Sequence, residues 1–129
     1  MYSNSEAFEK INGTIKSMST AALAESLLNM LVDLHGEELA IRALLEAHSD
    51  WSAKRKEFRS AMRRHIAKTL ILRRPKLGSA MARNMAVIIL QNMKTVSVLN
   101  RELPEDERSG ALAELREMTR LYLVDRLGE

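Results

Sequence analysis

"ELREMTRLYLVDRLGE", residues 114–129, decides how this chain folds. Read as a helix at about 100° per residue, it gathers Leu115, Met118, Tyr122 and Leu123, with Leu112 just before it, into one arc, while Leu121 and Val124 point well outside it. Two apolar directions on one helix call for two packing surfaces. The stretch before it, "SAMARNMAVIILQNMKTVSVLN" at 79–100, repeats the argument, because its only charges are Arg83 and Lys94. There Met81, Met85, Ile88, Ile89, Val96 and Leu99 spread over about half the circumference, and Ala86, Leu90 and Met93 take much of the remainder. A single copy of a 129-residue chain does not readily cover both helices. A symmetric pair does, so a homodimer is expected, with Ile89, Val96, Leu121 and Val124 at the interface.

Working outward, the remaining segments also read as helix. Only two prolines and five glycines occur, β-branched alternation is absent, and apolar residues recur at spacings of three and four. Six helices are expected, and the fold class is all-α. The first spans about residues 4–18, opened by a capping box of Ser3 and Glu6, with a stripe of Phe8, Ile11, Ile15 and Met18 that Gly13 weakens. Ser19 or Thr20 caps a second, striped by Leu23, Leu27, Met30, Leu31 and Leu34 and stopped by Gly36. A short third covers 37–47. Ser49 and Asp50 cap a long fourth reaching about Arg73. Trp51, Phe58, Met62, His65, Thr69 and Leu72 lie along one side of it, with Lys56, Arg59, Arg63, Arg64 and Lys68 opposite. Pro75 and Gly78 mark a break, Ser79 starts the fifth helix, and Pro104 suits the first turn of the sixth, which ends near Leu127. No linker or repeat divides residues 1–129, so one domain is expected.

Charge is segregated beneath a net of +3. Residues 1–50 carry 3 basic and 8 acidic side chains, residues 51–76 carry 10 and 1, and residues 77–129 carry 7 and 8. The basic middle could be a footprint for nucleic acid, but the chain's one Trp, two Tyr and two Phe provide no stacking platform. A solvated basic helix face is the favoured reading. The helix after "LHGEEL" offers Arg42 as its only cation, which argues against a DNA-recognition helix. His35, His48 and His65 lack the spacing of a helical metal site, and there is no cysteine, nucleophile elbow or phosphate-cradling loop. Neither an enzyme nor a cofactor is expected. The longest apolar run, "AVIIL", is far shorter than the roughly 20 residues that cross a bilayer, and the start does not look like a signal peptide, so a cytoplasmic protein without a membrane partner is expected.

Helices of these relative lengths, with a short third, a long fourth and two closing helices apolar beyond one stripe, resemble the C-terminal regulatory domain of the TetR family of transcriptional repressors. "NMLVDLHGEELAIRALLEAH" is similar to the family's second and third regulatory helices, "RRPKLGSAMARNMAVIILQNM" to the entry into its penultimate helix, and "ALAELREMTRLYLVDRLG" to its closing helix. The resemblance implies a domain that binds a small, hydrophobic effector and dimerises through a four-helix bundle made by the last two helices of each copy. It implies that DNA is contacted only through a helix-turn-helix unit preceding the first helix, with "MYSNSEAFEKI" resembling the seam between the two parts. A truncated chain, a late start codon or a natural protein without that unit would all give such a start. The resemblance places the effector among the second, fourth and fifth helices. The stripes then choose Met30, Trp51, Phe58, Met62, Met85 and Ile88 as its contacts, with His65 or Asn84 as polar anchors. The alternative is a small helical interaction module or anti-regulator acting without its own DNA-binding part; a third reading has the basic fourth helix bind nucleic acid.

Overall fold

The computed structural model describes residues 2–30, 32 and 51–129. Helix α1 runs Tyr2–Thr14 and α2 covers 20–30. Helix α3 runs Trp51–Arg73, α4 Ser79–Glu102 and α5 Glu105–Leu127, with a 3-10 turn at Pro75–Leu77 between α3 and α4. Among the described residues there is no strand, and the all-α expectation holds. The expected short helix at 37–47, the stop at Gly36 and the caps at Ser49 and Asp50 lie outside the described residues.

The first helix departs from expectation at both ends. Ser3 sits inside it and so is not its N-cap, and it stops at Thr14 instead of Met18. Gly13 weakens this last turn, and Thr14 Oγ1 donates back to Ile11 O at 3.3 Å, while Ser17 Oγ donates to Thr14 O at 3.0 Å. Of the two candidate caps for α2, the structure selects Ser19, whose Oγ accepts from the Ala22 amide at 3.1 Å. Thr20 is buried and serves another purpose, described below.

Helices α3 and α4 form a hairpin closed by Pro75–Leu77 and by Gly78 at φ 85°, ψ 144°, a backbone region open in practice to glycine alone. The main core gathers Phe8 from α1, Leu23 and Leu27 from α2, Met62, Ile66 and Leu70 from α3, Met85 and Ile89 from α4, and Leu123 from α5. Ala82 and Ala86, both fully buried, give α4 a small-residue strip within this packing. A second cluster of Leu28, Val96 and Leu115 packs α2 against the middle of α4 and α5. Polar ties fix the register of these layers. Thr69 Oγ1 donates to Asn12 Oδ1 at 2.7 Å, joining α3 to α1, and Arg116 Nε meets Glu25 Oε1 at 3.2 Å, joining α5 to α2.

The end of α5 is held by the neighbouring helices. Thr20 Oγ1 donates to Gly128 O, Arg73 Nη2 donates to Glu129 O at 2.8 Å and to Thr20 Oγ1 at 3.2 Å, and Arg74 Nη1 donates to Arg126 O at 2.8 Å. The last carbonyls of a helix have no intrahelical donor, and here two guanidinium groups and a hydroxyl supply what the helix itself lacks.

Candidate functional site

The interior between α2, α3 and α4 is the first candidate. Met30, Phe58, Met62 and Met85, all expected to line an effector pocket, are buried in one cluster. Unbranched thioethers adapt their shape at low cost, so a core built on three of them can yield to a guest more readily than one of branched aliphatics. His65 borders this cluster. Its imidazole stacks on Phe8, with ring centroids 5.0 Å apart and planes 14° from parallel. Burial holds its pKa below the ordinary 6.5, with Arg64 and Lys68 acting in the same direction. The neutral ring therefore keeps one donor and one acceptor nitrogen, which suits a polar anchor at the edge of an apolar site.

Two residues expected in that pocket stand elsewhere. Ile88 is 58 % exposed and Asn84 is exposed on the same outer side of α4. The helix carries apolar residues beyond one stripe, and the arc that is buried is Ala82, Met85, Ala86, Ile89 and Leu90, with Arg83, Asn84, Gln91 and Lys94 on the other side. For the same reason Ile89 and Val96, expected at a contact between copies, are fully enclosed within one copy and have no surface to offer a second. The expectation for the Trp51 side chain lies outside the described residues.

The second candidate is the outer face of α4 and α5. Met81, Val87 and Ile88 are exposed on α4, and Met118 at 66 % and Leu121 at 53 % on α5. Val124 is half-buried beside them. On α4 this surface continues through Asn84, Gln91 and Thr95, all exposed and uncharged, with Arg83 and Lys94 at its margin. On α5 the exposed neighbours include Glu114 and Asp125. Val87 and Met81 escaped the sequence reading as surface residues, although Arg83, Asn84, Gln91 and Lys94 on the same side of α4 are the signal that could have found them.

The third candidate is the basic side of α3. Lys56, Arg64 and Lys68 are exposed, whereas Arg59 and Arg63 are half-buried, and Arg59 Nη2 donates to Gln91 Oε1 at 3.5 Å. A groove of about 650 Å³ runs past Lys56, Ser60, Arg63 and Arg64. The face is thus not a uniformly solvated one, since part of it braces α3 against α4. Among the described residues no cluster of His, Cys, Asp or Glu can hold a metal ion, and no helix is long and apolar enough to cross a membrane.

A family model described as tetracyclin repressor-like, C-terminal domain, matches residues 19–123. No curated protein and no solved structure matches the chain.

Proposed function

This chain belongs to the tetracyclin repressor-like C-terminal domain family, whose members are the regulatory, effector-binding and dimerising parts of transcriptional regulators, and from that premise we propose how its own residues divide those tasks. Dimerisation falls to the outer face of α4 and α5. The single observation that carries this is that the large exposed apolar side chains among the described residues, Met81, Val87, Ile88, Met118 and Leu121, all lie on these two helices. Scattered apolar residues on a surface need no explanation, but five on one pair of helices mark an interaction surface. A two-fold contact buries the patch against its own copy, and Lys94 on the margin of α4 offers a partner to the acidic residues of α5. Leu121 and Val124 keep the interface role; Ile88 moves to it from the pocket.

Effector binding falls to the interior, with Met30, Phe58, Met62 and Met85 as the apolar walls and His65 as the polar anchor. The site takes a small hydrophobic molecule, and its wall is continuous with the buried arc of α4, so an occupant that displaces Met85 also moves the helix that carries the dimer face. We further propose that residues 1–129 act as one domain, because α1, although it precedes the matched residues, is tied to α3 by the Phe8–His65 stack and the Thr69–Asn12 hydrogen bond.

The chain has no cysteine, so single-cysteine variants report proximity without background. Under mild oxidation Leu121→Cys or Ile88→Cys is expected to give a covalent dimer, while Lys54→Cys, exposed on the far helix, stays monomeric on denaturing gels. Equal cross-linking at all three positions would reflect random collision and refute the assigned face.

A further inference from the structure

The groove between the C-terminal half of α3 and the start of α4 has a chemistry that neither dimerisation nor the interior site uses. It has a volume of about 330 Å³, with Ala67, Ile71 and Leu72 as its floor and Arg64, Lys68 and Arg83 on its rim. The floor is firm: Ala67 belongs to the main core, and Ile71 and Leu72 pack against that core while keeping part of their surface open. Arg64 and Lys68 are four residues apart on α3 and so stand on one side of it, and Arg83 faces them from α4.

All three cations are exposed, and among the described residues none is in an ion pair; Arg64 donates to a neutral acceptor, Ser60 Oγ, at 3.2 Å. No carboxylate lines the groove among the described residues. Three like charges gathered around an apolar floor repel one another, and an anion among them relieves that repulsion. The positive field is felt nearby, since Arg64 and Lys68 both disfavour protonation of His65. A bare inorganic anion would leave the floor wet, and an uncharged hydrocarbon would leave the rim unanswered. A nucleic-acid backbone needs a polar track, which this floor is not. The shape and the charge together select a ligand with one anionic head and one apolar tail.

We propose that this groove binds a medium-chain monocarboxylate, with its chain on Ala67, Ile71 and Leu72 and its carboxylate among Arg64, Lys68 and Arg83. It shares no lining side chain with the interior effector site, so the two readings stand or fall separately.

The test is a titration of the ¹⁵N-labelled full chain with decanoate below its micelle concentration, followed by amide shifts. Saturable shifts at residues 64–72 and 79–83 are expected, with a combined Arg64→Gln, Lys68→Gln, Arg83→Gln variant binding at least about tenfold more weakly, since each exchange removes a charge-assisted contact. Acetate and 1-decanol, which each carry one half of the ligand's chemistry, are expected to bind at least about tenfold more weakly than decanoate. The proposal is overturned by an absence of saturable shifts, by shifts confined to the amides around Met62 and Met85, by acetate or decanol matching decanoate, or by the triple variant binding as the parent does. The wild-type comparison of the three probes stands without the variant, so it decides the matter even if the substitutions disturb the fold.

Discussion

His65 presses its ring against Phe8 at the edge of the interior site, and burial with two neighbouring cations keeps its pKa below 6.5. A group whose folded pKa is depressed contributes stability above its unfolded pKa and loses it as pH falls through the folded one, because the unfolded chain then binds the extra proton. Folding stability is therefore expected to fall on acidification from about pH 7 to about pH 5, and His65→Phe, which preserves the stack, is expected to flatten that fall. Urea melts of both proteins at the two pH values check this; parallel losses in the two would show that carboxylates, not His65, govern acid sensitivity. Gly78 makes a separate residue-scale claim. Nothing lies within 4 Å of a Cβ placed there, so Gly78→Ala introduces no clash and its whole effect is on the backbone. At φ 85°, ψ 144° that effect is expected to be a destabilisation of about 1–3 kcal/mol, read by chemical denaturation. A neutral result would mean that the α3–α4 turn readjusts freely.

At the scale of elements, the long helices were legible because their signals are local: glycine and proline at 75–78 bound α4, Pro104 and three acids open α5, and the three-and-four spacing fills what lies between. The early end of α1 at Thr14 was not legible, since Ile15 and Met18 continue the stripe while the backbone has already turned. The burial of Met30, Phe58, Met62 and Met85 could be picked from stripes, whereas the inward arc of α4 was misjudged because its apolar residues extend well beyond that arc. Its polar residues, Arg83, Asn84, Gln91 and Lys94, mark the outward side, and packing against α2 and α3 selects among the apolar ones. The hold on the end of α5 was equally hidden, because it joins Thr20, Arg73 and the carbonyls of Gly128 and Glu129 across more than half of the sequence. Removing it by Arg73→Ala is expected to cost about 1.5–3 kcal/mol, the scale of a lost charge-assisted hydrogen bond, and to speed hydrogen exchange in the last turn of α5 first. A loss under about 0.5 kcal/mol, with unchanged exchange there, would show that packing of Leu123 and Leu127 suffices to dock the helix.

For the whole molecule, the described residues of one copy build a shared core and leave large apolar side chains exposed on α4 and α5. Leu115, Leu123 and Leu127 are buried in the copy they belong to, and on the proposed pairing the exposed Met118 and Leu121 meet another. An effector seated among the methionines would then act on the spacing of two copies through α4, which contributes to both surfaces. The pairing itself is the claim on which this account rests, and light scattering at about 100 micromolar, far above the dissociation constant of a typical obligate dimer, tests it most directly. The account predicts a particle of twice the 14.6 kDa chain mass for the wild type and a particle of the chain mass for Ile88→Asp with Leu121→Asp; a wild type that scatters as a single chain at that concentration would contradict it.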